Sequence, residues 1–300
     1  MSWRSLVISS KAQLSIENEQ LCISTYEKYK IPVEDISVVV LESLQTNIST
    51  YTLSKFAERN ILVFICDERH IPQGIYLPFA QHSRVTKIIN AQWAMTKPCK
   101  NRIWQKIVKR KIENQSFVLK HLGFEKAKKL LRYASQVQSG DKTKREGIAA
   151  REYFSELFPN SSRKEDNLVN GALNYGYAIV RGAIARSIVS YGLLPIIGVG
   201  HCSELNAFNL ADDLIEVFRP LVDLFVYQHV SGLEEEHLNK ELRGHLVNIL
   251  NYDIEMEGLK VSVLNAIDRV VETYQKGCLI NSHEELCLPL VIDLQVHEYD

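Results

Sequence analysis

The chain predicts an α+β protein, with a small N-terminal mixed β-sheet domain over residues 1–83 and a larger all-α domain over residues 84–300. Three observations carry this. Apolar residues alternate with a period of two through the first eighty positions. The period lengthens to 3.6 from about His82 onward. And 300 residues, 46% of them hydrophobic, suffice for one large domain or two unequal ones.

Taken in order, SLVISS, AQLSIE, QLCIST and EDISVVVLES alternate between polar breaks such as ENEQ and read as strands. YTLSKFAERN reads as a short helix, ILVFICDE as a continuous buried strand, and GIYLPF as one more strand after a turn at Pro72 to Gly74. RVTKIINAQWAM, NRIWQKIVKRKIENQSFVLKHL and FEKAKKLLRYASQVQ then repeat at helical spacing. DNLVNGALNYGYAIVRGAIARSIVSYGLL is a long helix capped at Asp166 or Asn167, and close packing must offset the propensity cost of Gly171, Gly176 and Gly182. Pro195 and the glycines flanking Val199 end it, placing His201 in a loop at the mouth of a cleft.

The net charge of −1 conceals a strong asymmetry. Between Lys97 and Lys164 there are eighteen Lys or Arg against six Asp or Glu, whereas Glu204 to Glu257 holds three basic and twelve acidic residues. One surface should attract polyanions and another should hold cations. The six cysteines never form a C-x-x-C pair, so neither a zinc ribbon nor a dithiol redox motif is suggested and buried reduced thiols are the expectation. The N-terminus lacks a secretory apolar core, and no apolar run approaches the ~18 residues of a membrane span. The expectation is a soluble, cytoplasmic protein with no membrane partner.

Asp212, Asp213 and Glu216 lie in NLADDLIEVFRP, whose Leu210, Leu214, Val217 and Phe218 recur at helical spacing. Asp213 and Glu216 are i, i+3 neighbours, which repel unless a cation or base lies between them. Two readings stand for these acids, and for Glu146 at the start of REGIAAREYF: they complement a helix dipole, or they hold a cation. His201, just ahead of the acidic face, is placed to share a metal with it. Two carboxylates and one imidazole suit Mg²⁺ or Mn²⁺ better than zinc or copper, and such an ion suits phosphate-ester chemistry. The substrate side is basic: Lys106, Lys109, Arg110 and Lys111 surround Trp104, Lys128 and Lys129 follow, and Arg145 adjoins Glu146, a pattern that tracks the phosphate backbone of DNA or RNA.

The blocks EGIAAREYF, LNYGYAIVRGAIARSIVSYGLLPIIGVGH and NLADDLIEVFRPLVD, in this order from Glu146 to Asp223, resemble the CRISPR-associated integrase that captures new spacers, the larger of the two core adaptation proteins. Length and the glutamate at 216 look like the branch found with type II systems. The resemblance implies metal ligation and catalysis by Glu146, His201 and Glu216, with Asp213, Arg219, Asn174 and Tyr177 supporting them. It implies attack by a DNA 3′-hydroxyl on a phosphodiester at a repeat edge, with metal-dependent DNA cleavage as a side activity. The implied partners are double-stranded DNA (prespacer and CRISPR repeat), a second copy of the chain joined through the sheet domain, the smaller core adaptation protein, and further type II CRISPR proteins. A nuclease acting on branched or damaged DNA and a non-catalytic DNA-binding scaffold are the alternatives. The segment after Gly277 fits no pattern of the family, and a partner-binding tail and a disordered terminus are both open.

Overall fold

A computed structural model of the chain describes residues 4–79, 82–159, 163, 165–235 and 237–299. The first part contains β1 (Arg4–Ile8), β2 (Gln13–Glu17), β3 (Gln20–Ser24), β4 (Lys28–Pro32), β5 (Ile36–Leu41), β6 (Asn47–Ile48), α1 (Thr50–Glu58), β7 (Leu62–Cys66) and β8 (Pro72–Tyr76). One sheet has the order β1-β5-β7-β8, its first three strands parallel and β8 antiparallel; the other has the order β4-β3-β2-β6. The unbroken apolar runs of β5 and β7 follow from burial on both faces. Val39 and Val63 belong to the core shared with the second sheet, while Val38, Val40, Leu62 and Phe64 belong to the core of the helical part.

The expected turn at Pro72 to Gly74 is displaced. The chain reverses at residues 67–71, where the Asp67 carboxylate accepts from the backbone N–H of Arg69 and of Ile71, each at 2.9 Å. Pro72 begins the edge strand β8 instead, a place where its missing N–H breaks no ladder.

The second part comprises α2 (Val85–Ala94), α3 (Lys97–His121), α4 (Ala127–Ser135), α5 (Arg145–Leu157), α6 (Leu168–Ser190), α7 (Asn209–Leu214), α8 (Arg219–His229), α9 (Lys240–Asn248), a hairpin of β9 (Asp253–Met256) and β10 (Leu259–Ser262), and α10 (Val263–Ile280). None of these helices is long and apolar enough to cross a membrane. α6 is the central helix, apolar nearly all round; the Asn167 side chain caps it by accepting from Asn170 N–H. Its glycines admit neighbours: a methyl at Gly182 would enter the Phe64 ring, and one at Gly176 would lie 2.6 Å from Val222. A buried bidentate pair also joins the parts, with Arg243 of α9 donating to Glu42, just past β5, at 2.7 and 3.1 Å.

The tail beyond α10 is packed on its own chain. Residues 290 and 296 bridge to Glu255 and Tyr252, and the His297 ring meets the Asp253 carboxylate at 2.6 Å. The buried Asn114 of α3 donates to the Pro289 carbonyl at 3.2 Å and accepts from Val291 N–H at 3.2 Å.

Candidate active site

Glu146 sits in the first turn of α5. That turn is capped from outside by Asp141, whose carboxylate accepts from the N–H of Arg145 at 2.9 Å and of Glu146 at 3.1 Å. Glu216 lies in a single 3-10 turn, Ile215–Val217, between α7 and α8. Both carboxylates meet the Lys111 ammonium of α3, which forms an ion pair with Glu146 and with Glu216. Lys111 is 6% exposed and Glu216 7% exposed, so this is a cation held between two carboxylates away from bulk water. Arg219 completes the set, donating Nε–H to the other oxygen of Glu216 at 2.9 Å.

These contacts fix the charges. Burial alone would lift the Glu216 carboxyl, but Lys111 and Arg219 outweigh it and hold its pKa at about 2. Burial alone would also drive the proton off Lys111, and Glu216 with Glu146 more than reverses that, raising its pKa above the ordinary lysine value.

His201 is placed by Asp213. This fully buried carboxylate accepts from the backbone N–H of Val199 at 2.6 Å, Gly200 at 3.1 Å and His201 at 2.8 Å, and its Oδ1 lies 2.8 Å from His201 Nδ1. The contact with Nδ1 leaves Nε2 as the outward nitrogen, the arrangement by which a carboxylate orients a metal-binding imidazole. The hydrogen bond to Asp213 raises the imidazole pKa against a partial burial that lowers it, and the charge of Glu216 adds to the rise. On its other side the ring packs edge-on to Trp104, centroids 5.5 Å apart. Gly200 is required there, because a methyl group would run into the indole. Trp104 and Lys111 are seven residues apart on α3, so one face of that helix presents both the histidine and the acidic pair.

The supporting residues divide. Tyr177 lies beneath Arg219, whose guanidinium is 4.5 Å from the ring centre, and its hydroxyl donates to the buried Asp223. Burial pushes the Asp223 carboxyl up to about 6 against the pull of Tyr177 and Arg219. Asn174 is exposed and accepts from Arg163 at 2.9 Å. Asp212 pairs with Arg181 at 2.5 Å.

Two basic residues do not stand where the sequence suggested. Lys111 is buried in the acidic pair and presents nothing to a nucleic-acid backbone, because its position belongs to the apolar stripe of Ile103, Ile107 and Ile112. Lys106 donates to the carbonyls of His283, Glu284 and Leu286 at 2.9–3.3 Å, so its ammonium fastens the tail. Lys109 and Arg110 approach Glu113 at 3.8 and 3.2 Å, and Lys129 pairs with Glu152 at 2.7 Å. Lys128 is exposed, and Arg145 lies over the Tyr133 ring at 5.7 Å. Arg145 also lines an open groove of about 610 Å³ with Arg102, Gln105, Gln138 and Thr143.

Among the described residues, no group of three His, Cys, Asp or Glu side chains is arranged to hold a metal ion. The donor types, two carboxylates and one imidazole, are those that a hard divalent ion accepts. Glu146 and Glu216 already enclose a cation, the Lys111 ammonium, and the His201 ring turns Nδ1 to Asp213.

Residues 6–248 match the family model described as CRISPR associated protein Cas1. The chain is 42% identical over 304 residues, covering all of both proteins, to a CRISPR-associated endonuclease Cas1 of Neisseria meningitidis serogroup C. It is 29% identical to a CRISPR-associated endonuclease Cas1 2 of Saccharolobus solfataricus, over 85% of this chain and 86% of that one. Among solved structures, a casposase bound to integration product superposes with a TM-score of 0.74 at 21% identity, over 94% of this chain and 92% of that one. A CAS1 protein from Thermotoga maritima gives 0.74 at 20% identity, over 92% and 97%. A chain of a Cas6-RT-Cas1–Cas2 complex gives 0.70 at 20% identity, over 95% of this chain and 36% of that one.

Proposed function

The chain belongs to the CRISPR-associated Cas1 family, and from that premise we propose that it is a metal-dependent DNA integrase and endonuclease of CRISPR adaptation. The observation that carries the reading is the joining of Glu146 and Glu216 around one cation, on the helix face that also carries His201 through Trp104. Glu146, Glu216 and His201 Nε2 would hold Mg²⁺ or Mn²⁺. Such an ion supplies positive charge to phosphoryl oxygens and lowers the pKa of an attacking hydroxyl.

The remaining side chains act on these three. Asp213 keeps the imidazole turned and holds its loop through three backbone N–H groups. Arg219 fixes the rotamer of Glu216 while stacked on Tyr177. The groove lined by Arg102 and Arg145 offers charge to a DNA backbone. In the joining reaction the 3′-oxygen of an incoming strand bonds to the scissile phosphorus as the bridging P–O bond breaks, so one phosphodiester replaces another. Water in place of that oxygen gives cleavage. One structural neighbour is a casposase bound to integration product and another belongs to a complex with Cas2, which supports DNA and the smaller adaptation protein as partners. A homodimer joined through the sheet domain, type II CRISPR components as further partners, and a cytoplasmic location complete the proposal.

The test compares wild type with Glu146→Gln and His201→Ala on a repeat-containing plasmid with a short duplex, the smaller adaptation protein and Mn²⁺. Joined and cleaved products should vanish in both variants while gel-shift binding persists. Undiminished product from either variant would overturn the reading, and hydrolysis without joining in wild type would make the protein a nuclease only.

A further inference from the structure

Lys111 raises a question that the proposed metal chemistry leaves open: what its ammonium does when a divalent ion arrives. Both Glu146 and Glu216 are in direct contact with it. Two nearby carboxylates of which one is nearly sealed from solvent repel each other, and a counter-charge between them removes that repulsion. A divalent ion bound to the same oxygens would stand within a few ångströms of the ammonium, where like charges repel strongly.

We propose that Lys111 is the resident counter-cation of the metal-free site, holding Glu146 and Glu216 together until a divalent ion displaces its ammonium from between them. The proposal rests on the metal reading above and adds a competitor to it. Lys111 thus has two consequences of opposite sign: it stabilises the fold without metal and weakens the apparent affinity for metal. Its neighbours on α3 suit this role. Ile107, Val108 and Ile112 are fully buried, so Lys111 lies on the inward side of the helix and its ammonium meets the acidic pair and not the solvent.

Arg219 does not compete in the same way. It touches a different oxygen of Glu216 and lies against Tyr177, so it can remain while the space between the carboxylates changes occupant.

The experiment measures Mn²⁺ binding by calorimetry to wild type, Glu146→Gln, Lys111→Met and the double variant, without DNA. Wild type should bind Mn²⁺ in a Glu146-dependent manner, and Lys111→Met should bind about tenfold tighter or more, the work of displacement having been removed. Without metal, Lys111→Met should melt lower than wild type, and added Mn²⁺ should raise its Tm by more. Glu146-dependent binding that is equal or weaker in Lys111→Met overturns the proposal and leaves the metal reading standing. Binding that does not depend on Glu146 in either background overturns both. Should Lys111→Met fail to fold, wild type labelled with ¹⁵N-lysine gives the answer by NMR. The Lys111 ammonium resonance should shift or disappear as Mg²⁺ saturates the site, and a resonance unmoved at saturation overturns the proposal.

Discussion

A single buried carboxylate, Asp213, sets the direction of His201. Three backbone N–H groups hold it, and its remaining capacity goes to the imidazole. Because that contact raises the His201 pKa, the neutral imidazole that a metal needs is reached only at a pH above the ordinary histidine value. Mn²⁺ affinity should therefore keep rising with pH beyond that value, and in Asp213→Asn the His201 resonance should titrate lower; an unchanged titration would remove Asp213 from this role. Gly200→Ala should push Trp104 off the histidine and cost about 1–3 kcal/mol of stability, read by thermal melting, with DNA joining abolished. In the sequence Glu146 was visible as an acid in a first helical turn, Asp213 and Glu216 as acids on one helix face, and His201 as a loop residue just ahead of that face. The partnership of Lys111 was not, because its partners lie 35 and 105 positions away and its own context, KRK, reads as a solvated basic run. A signal existed: position 111 follows Ile103 and Ile107 at intervals of four, on the apolar stripe.

At the scale of elements, the site is assembled where helices end. Glu216 is carried by the 3-10 turn between α7 and α8, so the i, i+3 relation to Asp213 separates their tasks: one carboxylate anchors the histidine loop and the other meets Lys111 and Arg219. The back of that turn is tied to the tail. Asn114 donates to the Val217 carbonyl at 2.8 Å while holding Pro289 and Val291. Asn114→Ala orphans buried backbone groups at about 1–3 kcal/mol each. It should lower Tm, release residues 281–299 to early proteolysis and reduce joining activity; a protected tail would contradict this coupling. The sequence displayed α1 to α6 and most strands of the first part through their periodicity, whereas β4 (KYKIP) and β6 (NI) were invisible, and the β9–β10 hairpin interrupts the part expected to be all-α. Strand β4 is largely polar and exposed, and β6 is two residues long. The docking of the tail was equally hidden, since it depends on backbone bridges and on one asparagine far away in the chain.

For the whole molecule, two buried carboxyls give opposite pH dependences. Glu216, held at about 2, contributes stability that is present above the ordinary carboxylate range and lost as pH falls toward 2. Asp223, raised to about 6, binds its proton more tightly in the folded state, so its charging lowers stability as pH rises from 3.8 to about 6. The Tm difference of Asp223→Asn from wild type should accordingly be more favourable at neutral pH than at about pH 4. The basic surface acts over a longer range. Replacing the exposed Lys128, Arg132 and Lys144 with Gln should flatten the salt dependence of DNA binding by about one power of salt for each phosphate that is no longer neutralised. The separation of charge between the basic middle of the chain and the acidic stretch after Glu204 was legible in composition, but which basic side chains are already paired was not, because pairing is a property of packing. The most direct measurement on the central claim is an anomalous-scattering map of crystals soaked in Mn²⁺. The account predicts a peak bounded by Glu146, Glu216 and His201 Nε2 that disappears in Glu146→Gln; a manganese peak elsewhere, with these three side chains left empty at saturating metal, would contradict it.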